Sequence, residues 1–162
     1  MLDTAKELVK AGGQKLRLPV DVVIADDFAN EAQSRTMDVG PVPEGWRILD
    51  IGPETVKRYS KVLAEAGTVV WNGPMGVFEM PNFAKGTEAV CSAVADATGH
   101  GAVSLVGGGD SAAAVKELGF SDRISHVSTG GGASLELISG ITLPAVAEIA
   151  EKPCCPNCDC NK

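Results

Sequence analysis

Aromatic residues are scarce, 4% of 162, so the core that a 44% hydrophobic content allows must be aliphatic, built from Val, Ile, Leu and Ala. Cations are outnumbered: 14 Lys and Arg stand against 21 Asp and Glu, a formal net charge of −7. Nucleic acid and anionic membrane surfaces require a basic face, so both are excluded as general partners. A small anion held by backbone N–H groups is not excluded. No apolar run approaches the roughly 20 residues that span a bilayer. The opening MLDTAKELVKAGG lacks the long apolar stretch of a signal peptide, and the expected compartment is the cytoplasm. Histidine is limited to His100 and His126, neither with a cysteine, acid or second histidine at ligand spacing. No Ser–His–Asp or Cys–His arrangement is legible. Of five cysteines, only Cys91 precedes the tail, and it reads as a small buried apolar residue. Cys154, Cys155, Cys158 and Cys160 crowd residues 153–162. Zinc sites set two ligand pairs across a longer loop, so a disordered cysteine-rich tail is expected ahead of a structural metal site.

Glycine, by contrast, is abundant, and three clusters stand out: GPMGVFE (73–79), GGGD (107–110) and TGGGAS (129–134). Each follows a strand-like run: TVVWN, AVSLV and ISHV. Glycine lets backbone N–H groups approach a bulky anion closely. A helix start adds unpaired N–H groups and a partial positive charge. Three such places in one chain point to a phosphate-rich ligand held mostly by backbone.

The periodicity predicts a helix over 2–12 with Asp3 as its cap, then a strand in LRLPVDVVIAD. Residues 26–45 read as a turn-rich surface connection with a short strand near Thr36–Val39. Helices are predicted over 53–66, 82–97, 111–118 and 133–138, with strands at 68–72, 102–106 and 124–127 between them. LPAVAEIA follows, with Leu143, Val146 and Ile149 on one face. The continuous run 102–106 suggests a strand covered on both faces. Alternation of this kind predicts an α/β fold with a parallel, Rossmann-like sheet and helices on both faces. Ligands bind beyond the carboxyl ends of such strands, where all three glycine clusters fall.

Each cluster has two readings. Val77 and Phe78 suit an apolar slot for a nucleotide base, with Glu79 accepting from ribose hydroxyls. Alternatively, 73–79 is a strand-to-helix turn with Phe78 in the core. Asp110 suits Mg²⁺ through one oxygen; alternatively, Asp110 or Ser111 is a helix N-cap. Gly130, Gly131 and Gly132 suit a phosphate in transfer; alternatively, Ser128 or Thr129 caps a helix. GGGD is neither a P-loop nor a complete dinucleotide fingerprint. Glu7, Glu54, Glu88 and Glu117 are expected to be solvated.

WNGPMGVFE (71–79), LVGGGDSAAA (105–114) and SHVSTGGGASLELISG (125–140) resemble the signature segments of phosphoglycerate kinase. LPVDVVIAD (18–26) and LDIGPET (49–55) are also similar to that family, and the match is collinear over 1–152. The resemblance implies reversible phosphoryl transfer between 1,3-bisphosphoglycerate and ADP, giving 3-phosphoglycerate and ATP, with Mg²⁺. It implies a two-domain enzyme, monomeric when full length, whose C-terminal domain holds ATP/ADP. Carried over by motif, Asn72 and Pro74, Gly76, Val77 and Phe78 line the nucleotide site and Glu79 meets the ribose. Gly107, Gly108, Gly109, Asp110 and Ser111 form the phosphate-contacting segment, with Asp110 linked to Mg²⁺. Gly109 and Gly130 to Gly132 face the transferring phosphoryl group.

The resemblance reaches only the last two-fifths of a full member. Residues 1–152 are therefore expected to be an incomplete C-terminal domain, with Met1 an internal methionine or the start of a truncated frame. The glycerate-binding domain, with its catalytic arginine, and a lysine-bearing GGAKVSDK-like motif have no counterpart here. Ile48 stands where the family commonly has glycine beside the nucleotide. No lysine or arginine falls inside the three motifs, and Lys85 and Lys116 lie on predicted helices. Little or no turnover is expected from this polypeptide alone; a non-catalytic adenine-nucleotide-binding fragment is the alternative reading. Exposed sheet edges are expected to favour association.

Overall fold

The computed structural model describes residues 2–150. The expectations for Met1 and for the cysteine tail at 153–162 lie outside the described residues.

Helix α1 (Leu2–Gly12) starts one residue ahead of Asp3, which lies in its first turn rather than capping it, and the helix buries none of its residues. Three strands follow: β1 (Asp21–Ala25), β2 (Ser34–Asp38) and β3 (Arg47–Ile51). They form an antiparallel sheet in the order β2-β1-β3. The turn-rich stretch after β1 returns the chain beside it, so β1 pairs with its own neighbours and not with the later strands. The pairing of β1 with β3 is irregular: Val23 faces Asp50 while Ile24 faces Ile48. Leu49 is the extra residue of a bulge, which bends the strand and leaves that residue out of the ladder.

Helix α2 (Pro53–Ala64) leads from β3 into the parallel sheet, with proline in its first turn, where the missing N–H costs nothing. Strands β4 (Thr68–Asn72), β5 (Val103–Gly107) and β6 (His126–Ser128) pair in parallel, in that order. Helix α3 (Lys85–Gly99) connects β4 to β5, and α4 (Gly109–Glu117) connects β5 to β6. Helices α5 (Gly131–Ile138) and α6 (Pro144–Ala150) close the described chain. The expected strand–helix alternation thus holds from 68 onward, with an antiparallel sheet added in front. No described helix is long and apolar enough to cross a membrane.

The main core lies on one face of the parallel sheet. Val69, Trp71 and Val106 pack with Val90, Cys91 and Val94 of α3 and Val115 of α4, and Ile51 of β3 joins them. Val56, Tyr59 and Leu63 of α2 cover its side. Cys91 is fully buried, as expected, and burial pushes its thiol up to about 11. The opposite face is different: Val70 is 45% and Val103 59% exposed. The expectation that 102–106 is covered on both faces is therefore corrected. The run is uninterrupted in sequence, but burial alternates along β5. Val146 and Ile149 of α6 are exposed too.

Candidate functional site

Strand register sets the site. Asn72 of β4 lies level with Gly107 of β5, and Gly107 level with Ser128 of β6. Each strand therefore ends at one rim and releases its glycine cluster there. Two hydrogen bonds tie neighbouring strand ends, and a third braces the last turn. The Gly73 N–H donates to Ser111 Oγ at 2.7 Å. The Gly108 N–H donates to the Ser128 carbonyl at 3.1 Å, and the Gly130 N–H donates to Ser128 Oγ at 3.2 Å.

At the meeting point, side chains have no room. A Cβ on Gly131 would stand 2.7 Å from Asn72 Oδ1 and from the Gly108 Cα and N. Gly108 has φ +100°, a conformation that L side chains rarely adopt, and a Cβ there would stand 2.9 Å from Asn72 Oδ1. Asn72, Gly107, Gly108 and Gly131 thus form one packed junction between the starts of α4 and α5.

Neither start is capped by a side chain. The N-caps are Gly108 and Gly130. Asp110 and Ser111 do not cap α4: Ser111 Oγ accepts from Gly73 instead, and the Asp110 side chain is exposed. Ser128 and Thr129 do not cap α5 either, since Ser128 Oγ serves Gly130. The first helical bonds run from Ala112 N to Gly108 O and from Ser134 N to Gly130 O. Among the described residues, the N–H groups of 109–111 and 131–133 therefore have no backbone or side-chain acceptor. Two neighbouring helix starts present free donors and positive dipole ends at the same rim.

The 73–79 segment lies beside this rim. Pro74, Gly76, Val77 and Phe78 are half-buried and Glu79 is exposed. Val77 packs against the small cluster of Ala25, Leu49 and Phe83. Its N–H donates to the carbonyl of the bulged Leu49 at 2.9 Å. Phe78 belongs to neither core cluster; the fully buried phenylalanine is Phe83. Ile48 is 54% exposed, one residue before the bulge.

Two buried residues that sequence reasoning passed over hold this segment from below. Thr87 Oγ1 accepts from the N–H groups of Met75 and Gly76 at 3.1 and 3.2 Å. Asp50, 2% exposed, accepts from Ile51 N at 2.8 Å and from Gly86 N at 2.7 Å. Burial pushes the Asp50 carboxyl above its usual range, against those hydrogen bonds and the nearby Lys85 charge. The one available signal was a lone acid inside the apolar run ILDIG.

Among the described residues, no group of three or more His, Cys, Asp or Glu could hold a metal. Asp110 is the one carboxylate of the GGGD cluster. That donor set suits a cation arriving with phosphate oxygens, not a resident ion. Hollows of about 540 and 550 Å³, beside α3 and over the antiparallel sheet, do not touch the rim.

The phosphoglycerate kinase family model matches residues 1–141. The chain is 58% identical over 139 residues to the phosphoglycerate kinase of Chloroflexus aurantiacus, covering 86% of this chain and 35% of that protein. It is 55% identical over 148 residues to that of Corynebacterium jeikeium, covering 91% and 37%. The structure of phosphoglycerate kinase from Coxiella burnetii superposes with a TM-score of 0.82 at 44% identity, over 90% of this chain and 38% of that one. The chain therefore spans little more than a third of the length of the curated relatives it matches.

Proposed function

The chain belongs to the phosphoglycerate kinase family, and we propose that it supplies the nucleotide half of a site for reversible phosphoryl transfer. Phosphate passes from the acyl phosphate of 1,3-bisphosphoglycerate to the β-phosphate of ADP, leaving 3-phosphoglycerate and ATP. The observation that carries this reading is the junction of two uncapped helix starts at Asn72, Gly108 and Gly131, with six N–H groups free among the described residues.

Each residue has a task on this reading. The α4 start, Gly107 to Ser111, receives the nucleotide's phosphates through backbone N–H groups. The α5 start, Gly130 to Gly132, faces the phosphoryl group in transfer, whose charge spreads over several oxygens. Val77 and Phe78, half-buried and outside the main core, offer the base an apolar seat, with Pro74 and Gly76 beside them. Glu79, which is exposed, accepts from the ribose hydroxyls. Asp110 would hold Mg²⁺, which would offset the negative charge of the phosphates. The catalytic contribution is positioning and charge stabilisation, since phosphoryl transfer needs no covalent step from the protein.

The three segments contain no lysine or arginine. A cationic contact can be worth about 10³–10⁵ in rate. Transfer therefore needs cations from outside these segments, and 3-phosphoglycerate or 1,3-bisphosphoglycerate needs a basic site of its own. This favours a second, narrower reading for the 162-residue chain alone: adenine-nucleotide binding with little turnover. Titration calorimetry with ADP, with and without Mg²⁺, beside a coupled kinase assay tests both. Binding without turnover supports the narrower reading. Turnover at ordinary family rates would refute it, and no ADP binding at millimolar concentrations would refute the nucleotide site.

A further inference from the structure

We propose that Thr87, seated by Asp50, is a positioning residue for the 73–79 segment and sets its affinity for the nucleotide base. The inference rests on the functional reading above. The segment has few ties of its own. Between Gly73 and Val77, its N–H groups reach Ser111 Oγ, Thr87 Oγ1 (twice) and the Leu49 carbonyl. Thr87 alone receives two of these four. It is fully buried, in the first turn of α3.

The first turn of α3 is itself held from outside. Its N-cap, Ala84, offers no side-chain acceptor. The Asp50 carboxylate takes that role across 36 residues, accepting the Gly86 N–H at 2.7 Å. The packing is tight: a Cβ on Gly86 or on Gly76 would run into the Asp50 carboxylate. Asp50 therefore touches the base-side segment at Gly76 and the helix that anchors it at Gly86. The carbonyl of the bulged Leu49, one residue before Asp50, fixes Val77 from the same strand. Strand β3 and the α3 start together form a rigid floor beneath a segment that bears no regular structure. Ligand affinity falls in proportion to the fraction of time such a segment spends in its binding shape.

A merely structural threonine and a positioning threonine differ in what their variants do. Thr87→Val keeps the shape and removes the acceptor. Thr87→Ser keeps the acceptor and removes a buried methyl group. Amide hydrogen exchange on the 162-residue chain without ligand, followed by ADP calorimetry, separates them. Thr87→Val is expected to speed exchange at Met75 and Gly76 and to weaken ADP binding roughly tenfold, as for a segment in its binding shape a tenth as often. Thr87→Ser is expected to lower the unfolding midpoint yet leave exchange at 75 and 76, and ADP affinity, within about twofold of the unmodified chain. Asp50→Asn, with one carbonyl oxygen for two N–H donors, is expected to speed exchange at Gly86 and at Met75 and Gly76 together. Unchanged exchange in Thr87→Val, or faster exchange with unaltered ADP affinity, overturns the proposal. So does a Thr87→Ser variant that behaves like Thr87→Val. If the unmodified chain does not bind ADP, the functional reading fails, and the exchange rates alone then decide whether Thr87 holds the segment.

Discussion

Asp21 caps a helix that starts more than thirty residues away, and its removal should weaken the joint between the two sheets. The N-cap of α2, Gly52, makes no side-chain bond. Asp21 at the head of β1 substitutes for it. One oxygen accepts the Thr55 N–H at 2.7 Å and the Thr55 hydroxyl at 2.6 Å, and the other accepts the Glu54 N–H at 3.0 Å. Thr55 Oγ1 in turn accepts the N–H groups of Val20 and Asp21 at 3.0 and 3.1 Å. Asp21 is 5% exposed and Thr55 fully buried, so water cannot replace a lost partner. A hydrogen bond to a charged group contributes about 1.5–3 kcal/mol, and a lost helix cap costs about 0.5–2 kcal/mol. Burying the carboxylate costs part of the gross gain, so Asp21→Ala should destabilise by about 2–4 kcal/mol. Burial alone would raise the Asp21 pKa, but the Thr55 hydroxyl and the backbone donors outweigh it, and the carboxyl lies below its usual 3.8. A depressed carboxyl adds stability that is present above the unfolded value and is lost as pH falls through the folded one. Urea unfolding of the unmodified chain and of Asp21→Ala, from pH 7 to pH 2, tests this. The stability gap should be full above about pH 5 and shrink below pH 3.8. Asp50 works in the opposite sense: its raised carboxyl makes the fold lose stability as pH rises above 3.8. The difference between the two chains, not either curve alone, is therefore the diagnostic quantity. A gap under about 0.5 kcal/mol at pH 7, or one unchanged in acid, would refute the capping role.

Gly131→Ala should cost about 1–3 kcal/mol by overpacking and should weaken ADP binding, because the new methyl meets Asn72 and Gly108. Gly67→Ala, just ahead of β4 at the end of that strand away from the rim, has nothing within 4 Å and serves as the control; equal melting temperatures and ADP affinities for the two variants would remove the junction from the site. The half-open sheet face at Val70 and Val103 should drive self-association. Val103→Lys should lower the sedimentation-average mass at a given concentration, and an unaltered mass would place the contact elsewhere.

Elements with a local signal were legible. Helix α3 was expected over 82–97 and runs over 85–99, with Val90 and Val94 buried as the pattern required. The glycine clusters were expected at the strand ends and stand there, because the register of a parallel sheet follows from where each apolar run stops. Strand β3 was missed because its residues, RILDI, break the alternation with an acid and a bulge. The antiparallel pairing of β1 was hidden for another reason. DVVIA is continuously apolar, and such a run says that a strand is buried, not which neighbours cover it. The alternative reading of Ser111 and Ser128 as helix caps does not hold: their hydroxyls are acceptors of the right kind at the right place, but nonlocal or loop donors claim them first. Asp21, Asp50 and Thr87 share this difficulty. Their nonlocal partners lie 33–36 residues away for the two acids and 11–12 for Thr87, beyond any window of periodicity.

The polar ties also explain how one ligand can be held by two unlike sheets. On the proposed reading, the phosphates meet the parallel sheet, whose strand ends and helix starts offer main-chain donors but no cation. The base meets the 73–79 segment, which hangs from both sheets: Gly73 on Ser111 of α4, and Val77 on Leu49 of β3. The distance between base seat and phosphate seat is then set by how the antiparallel sheet sits on α2 and α3. Asp21 fixes that sheet to the start of α2, and Asp50 fixes it to the start of α3. On the proposed reading, these two buried acids set the spacing of the site. A chain with either acid replaced should discriminate less between ADP and a bare diphosphate, since the base seat shifts while the helix starts do not. Calorimetry with ADP and with pyrophosphate measures that ratio. A ratio equal to that of the unmodified chain would mean that the two seats are positioned independently of these ties.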